Sequence, residues 1–213
     1  MKRRTLDILF SIGGLGIAAL LLVAGIVLKA NADFANNYVH DQLAAQQITF
    51  KTADTLTDEE KAAPCLVQYA GQQLNSGKQA ECYANNFIGL HLKSIAGGKT
   101  YAQLGDVQGD IRAKIATAQK NNDPALADLQ KQLTDVSAQR ETVFKGETLR
   151  GLLLTSYGFS EFGAKAGQAA TVAFLASFLM LLLAIAGFIH AMATSKGTAF
   201  APVEPPARER ITS

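Results

Sequence analysis

The sequence predicts an all-α membrane protein in which two transmembrane helices flank an extracytoplasmic helical bundle. Residues 8–28 contain no charge over 21 positions, and residues 166–195 form a second uncharged stretch. A helix of 21 residues rises about 30 Å, which matches the hydrocarbon core of a bilayer. A soluble helix rarely lacks a polar face over such a length. The residues between, 29–165, have the composition of an ordinary soluble domain.

Flanking basic residues predict the orientation in the cell membrane. Three of them, at positions 2–4, precede the first stretch, and Lys196 and two arginines follow the second. Because Lys and Arg concentrate on the cytoplasmic side, residues 1–7 and 196–213 are expected to be cytoplasmic. The tail contains three prolines and is expected to be disordered. The middle region carries 14 basic against 15 acidic residues and is expected outside.

A cleaved signal peptide is the alternative interpretation of the first stretch. Residues 30–32 read Ala-Asn-Ala, which is a small-x-small match to a signal-peptidase site. The apolar run of 21 residues is longer than the usual core of a signal peptide, about 7–15 residues. An uncleaved anchor is therefore favoured, and the middle region is outside in either case.

Capping patterns organise the first part of the middle region. The first membrane helix is expected to continue outward to about residue 47, because apolar residues recur at helical spacing. Thr57 with Glu60 forms a capping-box pattern that opens a helical hairpin over residues 57–95. A turn near Gly77 separates its two helices. We expect four to six helices in the whole bundle.

A second, coiled-coil-like hairpin is predicted over residues 100–145. Its later helix should begin at Pro124 and repeats apolar residues at 3-4 spacing, with one lapse at Arg140. Gly146 is expected to end it. Residues 148–162 hold seven leucines and aromatics against two charges, Arg150 and Glu161, and they indicate either an interfacial helix or a core segment.

The two cysteines, Cys65 and Cys82, both lie in the middle region. An extracytoplasmic compartment permits disulfides, so a bridge between them is predicted. In a symmetric hairpin the pair would be offset by roughly 7 Å along the helices. The bridge therefore requires the first helix to end early, near Gly71, or the helices to cross at an angle. Two free thiols are the alternative.

Small residues in the two spans suggest that the spans pack closely. Gly14 and Ala18 are four residues apart in the first span, and Ala169, Ala173 and Ser177 continue the same spacing in the second. Small residues four apart let helix backbones approach each other in a membrane. These five residues are the predicted packing positions, against each other or against a partner.

Catalytic and cofactor motifs are not apparent in the sequence. His40, His91 and His190 lack neighbours at metal-ligand spacing, and His190 is expected to reach the headgroups with no membrane acid beside it. No phosphate loop, G-x-S-x-G elbow or paired-carboxylate pattern occurs. A net charge of +2 gives no indication of nucleic-acid binding. We expect a non-enzymatic protein without cofactor.

Four segments resemble uncharacterised two-span membrane proteins of actinobacteria. They are FANNYVHDQLAAQ (34–46), YAGQQ (69–73), ANNFIGLHL (84–92) and LRGLLL (149–154). The resemblance implies a lineage and an architecture. Some such proteins carry the label of aromatic ring-opening dioxygenase, but a non-haem iron site needs two histidines and a carboxylate, which this sequence does not assemble.

The architecture predicts an accessory or scaffold subunit. It would sit in the lipid bilayer and dock its outer bundle on a membrane-protein partner, or assemble as a homo-oligomer. A ligand-binding or sensor module is the alternative, since a span, an outer bundle and a second span also suit a receptor. Only about 18 residues follow the second span, too few for a folded transmitter, so a sensor would need a separate partner.

Overall fold

The computed structural model describes residues 3–195, which form helices joined by short connections. The long elements are α1 (Arg3–Ala45), α6 (Tyr101–Lys120) and α7 (Leu126–Ala193); the short ones are α2 (Asp58–Lys61), α3 (Pro64–Gln68), α4 (Gly77–Cys82), a π-helix (Tyr83–Ile88) and α5 (Gly89–Ile95). The predicted all-α class is confirmed. The prediction of a disordered cytoplasmic tail at 196–213 lies outside the described residues.

The chain divides into two compact units, to both of which α1 and α7 contribute. One unit comprises Met1–Asn31 and Lys165–Ser213, and the other is Ala32–Ala164. We call them the terminal unit and the middle unit. In the terminal unit the two apolar helices pack together in opposite directions, with Gly14 beside Ala184. Each contains a window long and apolar enough to cross a membrane, and 17% of each window is buried.

The core of the middle unit is built from short helices and the inner faces of the long ones. Its largest fully buried apolar side chains are Leu66 on α3, Leu74, and Leu104 on α6. The core also includes Leu43 on α1 and Leu153 on α7. The helix α1 extends well beyond residue 28, as its apolar spacing predicts.

The predicted helical hairpin over residues 57–95 is wrong in detail, because the first half is broken into short segments. The Thr57–Glu60 capping box is present and opens α2, but Pro64 then starts a separate helix, α3. The chain leaves α3 through Gly71, whose φ of 74° favours glycine. Gln73 then forms an isolated antiparallel bridge with residue 49.

The second half of that hairpin contains a π-helix between α4 and α5. A π-helix has i→i+5 hydrogen bonds and is usually a short interruption of an α-helix. Here Tyr83 stacks on Phe87 with ring centroids 4.6 Å apart, and Phe87 contacts the tilted ring of His91 in α5 at 4.5 Å. Burial raises the pKa of Tyr83. The π-helix thus carries a column of rings along one side of the middle unit.

The predicted helix end at Gly146 is also wrong, because α7 runs without interruption from Leu126 to Ala193. A glycine inside a helix costs only about 1 kcal/mol relative to alanine, which packing can offset. At Gly146 a Cβ would overlap the side chain of Leu92, so the glycine lets α5 approach α7. Residues 148–162 are therefore part of α7, not a separate interfacial helix.

The hairpin over residues 100–145 is formed by α6 and the start of α7, and Arg140 joins the two helices. The guanidinium of Arg140 donates to Gln108 Oε1 at 3.0 Å and lies 4.1 Å from the ring of Tyr101. A Cβ at Gly105 would lie 3.3 Å from Arg140 Nη2. The apparent lapse in the apolar repeat is thus a polar contact between the helices. The helix begins at Leu126, two residues after Pro124.

Candidate functional site

The predicted disulfide between Cys65 and Cys82 is confirmed, with Cα atoms 6.0 Å apart. The first helix does end early, because α3 stops at Gln68 before the turn at Gly71. The amide of Asn86 donates to Cys65 Sγ at 3.3 Å. The bridge joins α3 to α4 and closes a loop that includes an extended segment.

Small residues line the contact between the two apolar helices of the terminal unit. Ala18, Ala173 and Ser177 are buried, and the hydroxyl of Ser177 donates to the carbonyl of Ala18 at 2.7 Å. Gly14 lies against α7, as described above. Ala169, however, is exposed, and the adjacent Ala170 is buried instead.

Buried positions in this contact recur every seven residues, and Ala173 is buried between two of them. The buried positions at seven-residue spacing are Ser11, Ala18 and Gly25 on α1 and Ala170, Ser177, Ala184 and Ala191 on α7. A seven-residue repeat keeps one face of each helix toward its partner along its length. A four-residue spacing fails at Ala169 because it drifts around the helix.

A contact between a histidine and an aspartate lies at one end of the same two helices. His190 Nδ1 is 3.0 Å from Asp7 Oδ2, and the hydroxyl of Ser11 donates to the carbonyl of Asp7. The expectation that no acid accompanies His190 is wrong. The two residues are 183 positions apart, so only the antiparallel packing of the helices brings them together.

A buried carboxylate organises one side of the middle unit. Glu60 is 1% exposed and accepts two hydrogen bonds from Lys51 Nζ, at 2.8 and 3.1 Å. The backbone N–H of Thr57 donates to it at 2.8 Å, and His91 Nε2 lies 3.5 Å away. Burial acts to raise the pKa of Glu60, but these hydrogen bonds and charges outweigh it and lower the pKa.

An uncharged groove runs between α1 and α7 in the middle unit, with a volume of about 480 Å³. The described residues that line it are Tyr38, Val39, Gln42, Leu43, Gln46, Ile48, Leu149, Leu152, Leu153, Thr155, Ser156 and Phe159. Several apolar side chains in the groove face solvent, and Leu152 is 62% exposed. Phe162, just beyond the groove, is 76% exposed. Phe34, Tyr38 and Phe159 form a chain of ring contacts along its rim. We call this surface the apolar groove.

A second groove, of about 640 Å³, lies where α5 and the turn after it face α7. Arg150 Nη1 donates to Glu147 at 3.2 Å, and Nη2 donates to Asn85 Oδ1 at 3.1 Å. Among residues 3–195, Nε of Arg150 is a buried donor without a hydrogen-bond partner. Lys93 and Lys99 lie on the same lining. We call this surface the Arg150 groove.

Sequence reasoning did not single out either groove. In the sequence, Arg150 stands out only as one of two charges within residues 148–162. A charge in so apolar a segment is itself a signal, because it must find a polar partner once the segment packs. The repeat of apolar residues in 34–46 was used to predict helix and not an exposed surface.

The fold and these surfaces define an all-α protein with two helices long and apolar enough to cross a membrane. The chain matches no protein-family model, and no curated protein or solved structure is significantly similar to it. The resemblance to two-span actinobacterial proteins therefore stays a prediction.

Proposed function

We propose that the protein is a membrane-anchored accessory subunit that docks a partner membrane protein in the apolar groove. The observation that carries this proposal is a set of exposed aromatic and aliphatic side chains around an uncharged groove. Large exposed apolar patches on a folded surface are typical of interaction sites. The patch lies outside the two apolar windows that a membrane would cover.

The proposal places α1 and α7 across the membrane, with the middle unit outside the cytoplasm. Apart from their mutual contact, the apolar helices of the terminal unit expose most of their side chains, including Phe10, Leu20 and Leu183. A helix in the core of a soluble protein would bury them, so lipid is the environment that suits these faces. A phosphatase reporter that is active only outside the cytoplasm, fused near residue 120, tests the orientation, and an inactive fusion would refute it.

Lipid cannot supply the cover for the whole apolar groove. Leu152 precedes the uncharged stretch at Ala166 by 14 residues of helix α7. At 1.5 Å per residue this is roughly 21 Å along the helix. The headgroup layer on one side of a bilayer is only about 5–8 Å thick. This distance supports a protein, rather than lipid, as the proposed occupant of the part of the groove around Leu152.

An apolar helix is the partner segment that fits the groove. Two helices form its walls, and their lining offers aliphatic and aromatic side chains with a few hydroxyl and amide groups. Such a surface accepts a helix through anchors spaced three and four residues apart. A partner that itself spans the membrane would hold such a helix parallel to α1 and α7.

Site-specific photo-crosslinking tests the docking proposal. A benzophenone amino acid at Leu152 should crosslink to one discrete heterologous protein in native membranes. The same group at Gln130, an exposed residue of the same helix, should not. A crosslink to a second copy would replace the proposal by a homo-oligomer, and crosslinking to lipid alone would refute it.

The alternative function, a ligand-binding module acting through a separate partner, is favoured by the Arg150 groove. That groove has the volume of a small-molecule site and a cation with unused donors. It lies on other residues than the apolar groove, so the two functions are compatible.

A further inference from the structure

We propose that the Arg150 groove binds a small organic carboxylate, an apolar molecule that ends in one carboxyl group. This proposal does not rest on the docking proposal, because the lining residues of the two grooves differ. The donors of Arg150, the position of Glu147 and the walls of the groove support it.

Arg150 has more hydrogen-bond donors than the protein uses. A guanidinium carries five N–H groups. Two of them bond, one to Glu147 and one to Asn85, and the buried Nε has no partner within the described chain. A buried donor of this kind calls for an explanation, and an absent ligand is one. Nε has almost no exposed surface of its own, whereas the side chain as a whole is 35% exposed and lines the groove, so a ligand there meets the Nη groups.

Glu147 now occupies the position on Arg150 that the ligand carboxylate would take. Its contact with Arg150 is a single bond of 3.2 Å, whereas strong bonds between charged groups measure about 2.7–2.9 Å and are often paired. Glu147 is itself half exposed and lies one helical turn before Arg150 on α7. An incoming carboxylate could make two parallel bonds to the guanidinium and return Glu147 to solvent.

The residues that line the groove indicate the chemistry of the remainder of the ligand. Ala62, Pro64, Leu90 and Val143 contribute apolar surface to its lining, which also includes Glu59, Lys93 and Lys99. Inorganic phosphate would leave that surface uncovered, whereas an aliphatic chain would cover it. The volume of about 640 Å³ falls within the range of small-molecule sites.

Thermal unfolding of the full-length protein in nanodiscs tests the proposal, with sodium hexanoate as the probe. Hexanoate should raise the Tm in a saturable manner, as any ligand of the folded state does. Hexanamide, its neutral isostere, and sodium chloride at equal ionic strength should not. An equal effect of hexanamide, or tighter binding of sodium phosphate than of hexanoate, would overturn the carboxylate assignment.

Three variants separate binding from folding. Arg150→Gln should weaken hexanoate binding at least tenfold, because it removes the charged donor. Glu147→Gln should tighten binding, up to about fivefold, because it removes the internal competitor. Glu141→Gln is the matched control, since Glu141 pairs with Lys145 at the same 3.2 Å on the same helix away from the groove. It should leave binding unchanged.

The Glu147→Gln variant keeps the test decisive even if Arg150→Gln fails to fold. It retains Arg150 and the Asn85 contact, so the groove stays formed. Unchanged or weaker hexanoate binding by this variant would overturn the proposal. Loss of the Leu152 crosslink would leave it unaffected, because that result concerns the other groove.

Discussion

The two partners of the Lys51–Glu60 ion pair should respond unequally to replacement, because they are unequally buried. Lys51→Met leaves a carboxylate that is 1% exposed without its main partner. Leaving one half of a buried ion pair costs about 3–5 kcal/mol. Glu60→Gln leaves a lysine that is 35% exposed and can be hydrated, and the amide oxygen still accepts from Thr57. The Glu60→Gln variant should therefore lose only the stability that the charge-assisted hydrogen bonds contribute, about 1.5–3 kcal/mol.

The pH dependence of stability gives a second test of the same pair. A group whose folded pKa is lowered stabilises the protein above its unfolded pKa and loses that contribution as the pH falls through the folded value. For Glu60, whose ordinary value is near 4.5, the contribution is complete above that pH and disappears below it. The stability of Glu60→Gln should therefore fall less steeply than that of the wild type as the pH drops below 4.5.

Circular dichroism of the full-length protein in detergent micelles, followed against temperature and urea at pH 7, measures these effects. The exposed pair of Lys145 and Glu141 is the matched control, and its loss should cost less than about 1 kcal/mol. If Glu60→Gln proves as costly as Lys51→Met, or if both resemble the control, the reasoning from burial fails.

Three further predictions concern packing and the disulfide, each read out as the midpoint of unfolding. Replacing both cysteines by alanine should cost about 3 kcal/mol, and reductant should then have no further effect on the variant. Gly25→Ala should destabilise by about 1–3 kcal/mol because its Cβ would lie 2.7 Å from the ring of Phe174, whereas Gly13→Ala, with no neighbour within 4 Å, should not. Gly146→Ala should destabilise similarly by displacing Leu92, whereas Gly151→Ala, on the same helix in open space, should stabilise by up to about 1 kcal/mol.

Local signals in the sequence predicted the elements that depend on neighbouring residues. The capping box at Thr57 opens a helix as expected, and a box of the same pattern at Thr100 with Gln103 opens α6. A third box, at Ser76 with Gln79, follows the same pattern and opens α4. The disulfide was also predictable, because the sequence contains only one pair of cysteines. The geometry of a helical hairpin further indicated that the first helix must end early, or the helices must cross at an angle, for the pair to bond.

Features that depend on distant residues were not predictable in this way. Gly146 looks like a helix end until Leu92 is seen to occupy the space beside it. Asp7 and His190 are brought together only by the packing of two helices from opposite ends of the chain. Likewise, Arg150 becomes informative when Asn85 and Glu147 leave its Nε without a partner.

The π-helix acts as a spacer that sets the rotation of α5. Deleting one residue from it would restore ordinary helical winding and turn every later side chain of α5 by about 100°. Cys82 would stay bonded to Cys65 of α3. His91 would move away from Glu60, and Leu92 would leave the space beside Gly146. One extra residue thus aligns three separate contacts, and insertions or deletions should be tolerated less here than in the connections between helices.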